Sequence, residues 1–341
     1  MIKELCVIGH PSRLGGADTE LDHQIRLWRE MGIDVYICHT GGFDDNLIKM
    51  RAEMENIGCK YIPSRSWKDL VGFHTISFCN GNFLSNLHEI KKYAKSTTFV
   101  NCMTWNFNKE IEAQQNNLID FHLYQTKHQF DKVSLKLKNI GTNYRPLFFN
   151  PYFNTDTFPY IKRQQRPTFN FGRISREDPD KYNQYQIWIW DTMTAPVLKR
   201  GIILGWGDKP AKKLGRQPSY ISAFSPGSLT QQEFYRECDV IIMSTDTYEN
   251  LPRVGFEAMS SGSLLIVDNR GGWKVLVEDG KTGWLCNDHK EFVYKASRSA
   301  FEFNETDEMR LKAREKLDKE WGRESSSQSW TEVFNNWSNI N

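Results

Sequence analysis

The segment Tyr248 to Gly262, YENLPRVGFEAMSSG, holds the residues whose types and spacing are best suited to chemistry. Glu249 and Glu257 lie eight residues apart, the first just after an apolar strand-like run and the second inside a stretch of helical character. Small and turn-forming residues separate them. A strand, a loop and a helix in that order put one carboxylate at a sheet edge and the other a little over two turns into the helix. The backbone amides around Asn250, Leu251 and Pro252 then fall at the helix N-terminus. Such termini attract anions, because their first N–H groups lack intrahelical partners and the helix dipole is positive there. Carboxylates accept hydrogen bonds from sugar and ribose hydroxyls, and terminal amides hold phosphate. The spacing alone fits equally well a solvated helix that carries two surface glutamates.

The elements that must position these residues follow from the apolar pattern. Leu5 to Gly9 reads as a buried strand, His10 to Gly16 as a glycine-containing loop, Thr19 to Met31 as an amphipathic helix closed by Gly32, and Val35 to His39 as a second strand. Strand, loop, helix and strand in this order form a right-handed crossover with its loop at the carboxyl edge of a parallel sheet. Strands follow at Thr75 to Cys79, Thr98 to Met103 and His122 to Thr126. Between Arg145 and Pro167 the pattern turns proline-rich, aromatic and then basic, which marks an inter-domain linker. A second series opens at Thr168 to Gly172 and continues at Gly201 to Gly205, Tyr220 to Phe224, Val240 to Ser244, Leu264 to Val267 and Thr282 to Cys286. The expectation is an α/β chain of two Rossmann-like domains, 1–158 and 159–320. A helix over 321–341, with Trp321, Trp330, Phe334 and Trp337 on an apolar stripe, is expected to dock on the first domain.

Composition sets the limits. A formal net charge of +2 is too small to announce a nucleic-acid or membrane-surface protein by itself. The seven cysteines are scattered and never form a C-x-x-C pair, which favours reduced thiols in a cytoplasm-like compartment. No apolar run approaches the roughly 20 residues of a spanning helix. Asp178-Pro179-Asp180 satisfies a D-x-D pattern, but neighbouring cations already supply the charge that a metal would bring, and no histidine or cysteine cluster suggests zinc. No metal and no cofactor are expected. A dinucleotide oxidoreductase is disfavoured because no G-x-G-x-x-G follows the first strand.

The segment Tyr248 to Gly262 resembles the E-x7-E signature of retaining GT-B glycosyltransferases, especially glycosyltransferase family 4, including the A-M-x-x-G run at Ala258 to Gly262. DNRGGWKVLVEDGKTGW (Asp268 onward) resembles the family's glycine-pair loop, FGRISREDPDK (Phe171 to Lys181) its G-R element, and Asn154 to Phe158 part of its linker signature. Gly15-Gly16-Ala17-Asp18 resembles its G-G-A-E loop, although turn chemistry alone would also explain the glycine pair. The resemblance implies two parallel-sheet domains facing across a cleft and a nucleotide sugar as donor. It assigns Glu257 to the ribose hydroxyls, Glu249 to the donor sugar, and Arg173 and Lys181 to the diphosphate, where fixed cations stabilise the departing charge. Gly15, Gly16, Asn250, Leu251 and Pro252 would line the donor, and Asp18, Met103, Thr104 and Trp105 would lie near the sugar or acceptor. The gap between Arg173 and Lys181 is longer than the family's, so Arg176 or Lys199 could stand in for Lys181. The family's histidine after the fourth strand is missing from Val100 to Trp105.

The function implied is metal-independent, retaining transfer of a hexosyl or pentosyl group to an acceptor hydroxyl. The opening HPSRLGGADTELDHQ resembles phage-encoded members, which implies a host-cytoplasmic enzyme that modifies hydroxymethylated pyrimidine in DNA. The basic residues between Lys162 and Arg216 would then meet DNA phosphates, and Trp105 or Phe107 could stack on an extruded base, although core packing is the more ordinary role for both rings. A glycan or lipid-linked carbohydrate is the alternative acceptor. A non-catalytic sugar-nucleotide or nucleic-acid binding protein is the alternative from another class.

Overall fold

A computed structural model of the chain describes residues 2–13, 15–41, 45–63, 66–225 and 227–338. It divides into two compact units, 1–154 together with 320–341, and 155–319. The boundary therefore falls between Asn154 and Thr155, four residues ahead of the expected position.

The first unit is built on a parallel sheet of β1 (Glu4–Ile8), β2 (Asp34–Cys38), β3 (Lys60–Ile62), β4 (His74–Phe78), β5 (Ser96–Val100), β6 (Phe121–Tyr124) and β7 (Pro146–Phe148). Their order across the sheet is β3-β2-β1-β4-β5-β6-β7. Chain direction across the sheet reverses between β1 and β4, which makes that junction the topological switch point. β1 and β4 are buried almost throughout, as strands in a parallel sheet covered by helices on both faces must be, and the polar side chains of β4 are hydrogen-bonded inside, Ser77 to Ile8 O and Thr75 to Ser96 O. Two strands escape the sequence pattern. β3 is only three residues long, too short to show a period, and β7 lies inside the stretch read as linker. Pro146 has no N–H to donate, which suits the start of an edge strand, and it pairs with His122 of β6.

The helix Gly16–Glu30 starts three residues earlier than its apolar spacing suggests, because Gly15 takes the N-cap position with φ +89°, a backbone that side-chain-bearing residues rarely adopt. Its Leu21, Ile25 and Trp28 face the core at i, i+4 and i+7. The helix Arg323–Ser338 belongs to this unit and contributes Trp330, Val333, Phe334 and Trp337 to the same apolar cluster as β1, β2 and the helix Gly16–Glu30. Trp330 is fully buried, meets Trp28 edge to face at 4.8 Å, and donates from its indole N–H to Gln24 Oε1 at 2.8 Å. Gln24 also bonds both the N–H and the C=O of Tyr152, so one side chain links three segments far apart in sequence.

The second unit holds β8 (Thr168–Ile174), β9 (Leu198–Leu204), β10 (Ile221–Phe224), β11 (Val240–Met243), β12 (Leu264–Asp268) and β13 (Trp284–Cys286) in the order β10-β9-β8-β11-β12-β13, again all parallel. The direction reverses between β8 and β11. Arg163, assigned to a basic surface by sequence, is buried instead. It donates to the carbonyls of Tyr235 (2.7 Å), Arg236 (2.8 Å), Ser261 (3.2 Å) and Gly262 (3.2 Å), so it ties together the C-terminal ends of the helices Gln231–Glu237 and Arg253–Ser261. None of the seven cysteines forms a disulfide, and no helix among the described residues is long and apolar enough to cross a membrane.

Truncation of Trp330 leaves a cavity in this core and orphans Gln24. We expect Trp330→Ala to lower stability by about 3 to 5 kcal/mol and Trp330→Phe to cost clearly less. Chemical denaturation followed by tryptophan fluorescence measures both. Equal losses would mean that the indole N–H, and not the ring, holds the helix in place.

Candidate functional site

In open parallel sheets, ligands gather at the carboxyl ends of the strands where the chain direction reverses. In the second unit that point lies between β8 and β11, and the sequence candidates converge there. Arg173 is the penultimate residue of β8, and the loop carrying Glu249 leaves β11. Lys181 ends a short 3-10 turn, Pro179–Lys181, and its ammonium donates to Glu249 Oε1 at 2.6 Å with both side chains largely buried.

The longer gap between Arg173 and Lys181 is accommodated by stitching. Asp246 N–H donates to Asp180 O at 3.0 Å, and Asn183 N–H donates to Ser244 O at 3.2 Å. Lys213 donates to the carbonyls of Pro179 (2.8 Å) and Tyr182 (2.6 Å) and pairs with Asp246 at 2.6 Å. The turn is thereby fastened to the end of β11, and this fastening brings Lys181 to Glu249. The two alternative cations stand elsewhere. Lys199 donates to the carbonyls of Trp190, Asp191 and Met193 at the end of the helix Gln186–Thr192, and Arg176 is exposed and pairs with Asp178 at 3.1 Å.

Arg173, which the resemblance assigns to the diphosphate, is enclosed by the second unit. Its side chain is fully buried, with the guanidinium 4.0 Å above the Tyr182 ring and Nη1 3.1 Å from Met243 Sδ. Nε and Nη2 have no hydrogen-bond partner among the described residues. Burial pulls its pKa down, while the charges of Tyr182, Asp268 and Glu249 oppose that. A buried cation with two unmet donors is costly unless an anion completes it.

The loop between the two glutamates is shaped by a second loop. Gly272 N–H donates to Glu249 O at 2.9 Å, and a Cβ built on Gly272 would stand 1.5 Å from Asn250 O. Gly271 has φ +57°, and a Cβ there would lie 2.6 Å from Glu249 O. Only glycine fits either place. Asp268, at the end of β12, accepts from Thr245 N–H and Thr245 Oγ1 at 2.9 Å each, and Arg270 donates to Thr245 O. Sequence reading missed Thr245, Asp268 and Arg270 as supports. The one visible signal was a charged residue closing the apolar run LLIVD.

The helix after this loop is Arg253–Ser261, with Pro252 at its N-cap and no side-chain cap. Glu257 is therefore its fifth residue, just over one turn in and not two, because the loop keeps Asn250 to Pro252 out of the helix. Asn250, Leu251 and Pro252 are all buried. Glu257 is buried too and accepts from the Tyr235 hydroxyl at 3.0 Å, a partner that sequence reading did not find. Burial raises its pKa, with Arg253 and the Tyr235 hydrogen bond acting the other way.

In the first unit, Gly15 and Gly16 open the helix that follows β1. A Cβ on Gly16 would meet nothing within 4 Å among the described residues, and Asp18 stands exposed in the first turn of that helix. Met103, Thr104 and Trp105 follow β5 in a loop drawn together by Asn101. Asn101 Oδ1 accepts from Met103 N–H at 2.7 Å, and Nδ2 donates to Trp105 O at 2.9 Å. Trp105 is 55% exposed and not a core residue, whereas Phe107 packs edge to face on Phe99. The basic run also changes character. Besides Arg163 and Lys199, Arg166 pairs with Asp239 at 2.8 Å and Lys213 is engaged as above, so four of its nine cations serve internal bonds.

Residues 172–300 match the family described as Glycosyl transferases group 1. The matched stretch lies wholly within the second unit. The match includes Arg173, Lys181, both glutamates and the glycine pair. Spore coat protein SA of Bacillus subtilis (strain 168) is 33% identical over 103 residues, which are 30% of this chain and 26% of that protein. Over almost the whole chain the fold is the two-sheet Rossmann-like architecture of GT-B glycosyltransferases. HepE of Anabaena in complex with UDP-glucose is similar with a TM-score of 0.71 and 13% identity, covering 98% of this chain and 99% of that one. A glycosyltransferase from Rickettsia africae ESF-5 is similar with a TM-score of 0.73 and 12% identity, covering 99% and 100%.

Within the second unit, the raised pKa of Glu257 links protonation to stability. A carboxyl whose folded pKa lies above its unfolded value makes the fold most stable below the unfolded pKa, and that stability is lost as pH rises through the folded one. Glu257→Gln keeps an acceptor for Tyr235 and removes the charge. We expect it to exceed the wild-type chain in thermal stability at neutral pH and to match it at pH values below the usual glutamate range. An advantage that grows on acidification would contradict the sign.

Proposed function

We propose that this chain transfers a sugar from a nucleoside diphosphate sugar to an acceptor hydroxyl, with retention of configuration and without a metal at the diphosphate. The observation that carries the reading is Arg173, a buried guanidinium with unmet Nε and Nη2 beside the Lys181 and Glu249 pair. A diphosphate supplies the anionic oxygens those donors lack. Lys181 exchanges Glu249 for phosphate when the donor binds, and Glu249 turns to the sugar hydroxyls. Glu257 receives the ribose, and the first turn of the helix Arg253–Ser261 adds its positive dipole end. The complex of the Anabaena relative with UDP-glucose supports a uridine diphosphate sugar as the donor class.

The acceptor oxygen attacks from the face that the nucleotide leaves. A new glycosidic bond forms as the bond to the diphosphate breaks, and a diphosphate oxygen takes the acceptor proton. The protein contributes position and fixed charge. Asp178 and Asp180 have no part in this scheme, since Asp178 is occupied by Arg176. Modified DNA is the less favoured acceptor, because four of the nine cations in the basic run that suggested it are spent on carbonyls and carboxylates of the chain itself.

Three measurements test the reading. Release of UDP from a panel of UDP-sugars should persist in EDTA, and full loss restored by magnesium or manganese would revive the aspartate pair. Glu257→Ala should weaken UDP binding, while Glu249→Ala and Lys181→Ala should each lower turnover by about 10²–10³ with a smaller change in UDP affinity. Equal effects of Glu249→Ala and Glu257→Ala on UDP affinity would contradict the division of roles. Mass analysis of hydroxymethylated oligonucleotides and of glycans after incubation decides between the acceptors, and a sugar-sized gain on the oligonucleotide alone would reverse our preference.

A further inference from the structure

The first unit contains a cavity of about 210 Å3 at the carboxyl ends of β1, β2 and β3, on one side of its switch point. It is lined by His10, His39, Arg51 and Tyr61 over Leu47 and Ile62. None of these side chains was singled out by the sequence pattern, and His10 and Tyr61 are 51 residues apart.

The hydrogen bonds fix what the cavity offers. His10 Nδ1 lies 2.7 Å from Pro11 O, and a carbonyl can only accept, so Nδ1 carries the hydrogen. In the neutral ring Nε2 is then an acceptor, and it takes the hydrogen of the Tyr61 hydroxyl 2.8 Å away. Burial pushes the Tyr61 phenol up from its ordinary range, so it remains that donor. With its hydrogen committed, Tyr61 Oη presents lone pairs to any ligand. Arg51 lies 4.5 Å above the Tyr61 ring, and its Nε is held by Glu55 at 2.9 Å. Its Nη1 and Nη2 make no hydrogen bond among the described residues and supply donors, and the Glu55 carboxylate offsets part of the charge they carry. The His10 and His39 rings meet edge to face at 5.0 Å and give the cavity an aromatic wall.

This combination decides the ligand class. Lone pairs on Tyr61 Oη oppose an anion, and the Glu55 carboxylate beside Arg51 weakens the attraction of one. An apolar ligand would leave Tyr61 Oη and the Arg51 nitrogens unmet. A hydroxylated, uncharged ring satisfies both, because each hydroxyl donates and accepts and the ring's C–H face packs on imidazole and phenol. We propose that this cavity is a saccharide-binding site in which Tyr61 Oη and the Arg51 guanidinium hold the hydroxyls of an uncharged sugar residue. As the place of the acceptor it rests on the transferase reading above; as a saccharide site it stands by itself.

Saturation-transfer NMR on the full chain tests it, with maltose, cellobiose and chitobiose as probes, the dinucleotide pTpT as a nucleic-acid control, and UDP titrated separately. At least one disaccharide should receive saturation and pTpT none. Tyr61→Phe, which keeps the ring under Arg51, and Arg51→Ala should each weaken that disaccharide by up to about tenfold, as for loss of one hydrogen bond. UDP affinity should stay unchanged in both variants, and an unchanged thermal melt shows that the first unit, which holds Arg51 and Tyr61, is folded. The proposal is overturned if no disaccharide binds, if disaccharide binding is the same in both variants, or if pTpT binds and is lost in them. Failure of UDP to bind would count against the transferase reading alone, since the saccharide signal is read without it.

Discussion

There is no room for a side-chain atom between Gly272 and the peptide of Asn250, and the candidate site depends on that constraint. The loop after β12 presses its two glycines onto the backbone that carries Glu249, at a distance where a Cβ would overlap a carbonyl oxygen. The path of the Glu249 to Pro252 loop is therefore constrained by backbone contact and by a hydrogen bond from Gly272 N–H. Thr245, Asp268 and Arg270 fasten the bases of the two loops to each other. Once that path is fixed, the helix can begin only at Arg253, Glu257 falls where Tyr235 can reach it, and Glu249 points at Lys181.

Much of the fold could be read from residue pattern, and the reasons are physical. Parallel strands covered on both faces are largely apolar, so ELCVI and LLIVD announce themselves. Edge strands have no such need. KYI and PLF are short and half covered, and the second begins with a proline that reads as linker. The site was legible as far as it rests on local spacing. Glu249 and Glu257 could be placed because one follows the end of a strand and the other lies in the helix after it. What stayed hidden depends on pairing at long range: Tyr235 on Glu257, Lys213 and Asp246 on the Lys181 turn, and Tyr61 on His10.

The arginines show how little a residue type reveals about its surroundings. Arg163 has most of its donors on carbonyls at helix ends, where the dipole is negative, and so serves as a cap shared between two helices. Arg173, ten residues later, is equally buried but incompletely bonded. One has a structural task completed inside the chain, and the other is left with donors that the chain does not satisfy. Composition counts both as surface charge. Only the list of acceptors around each distinguishes them, and the same accounting removes most of the engaged cations from any picture of a basic face.

The helix Arg323–Ser338 adds a consequence for biosynthesis. Its Trp330, Phe334 and Trp337 belong to a core whose other members lie before residue 155. On the ribosome, residues 155–319 emerge as an uninterrupted stretch and have every partner they need before the first unit does. The first unit must wait, with the pocket for those indoles open to water, until the whole of the second has been synthesised. The order of completion is thus the reverse of the order of synthesis, against the usual N-terminal-first course. During that interval the nascent chain presents apolar surface of the kind that chaperones bind.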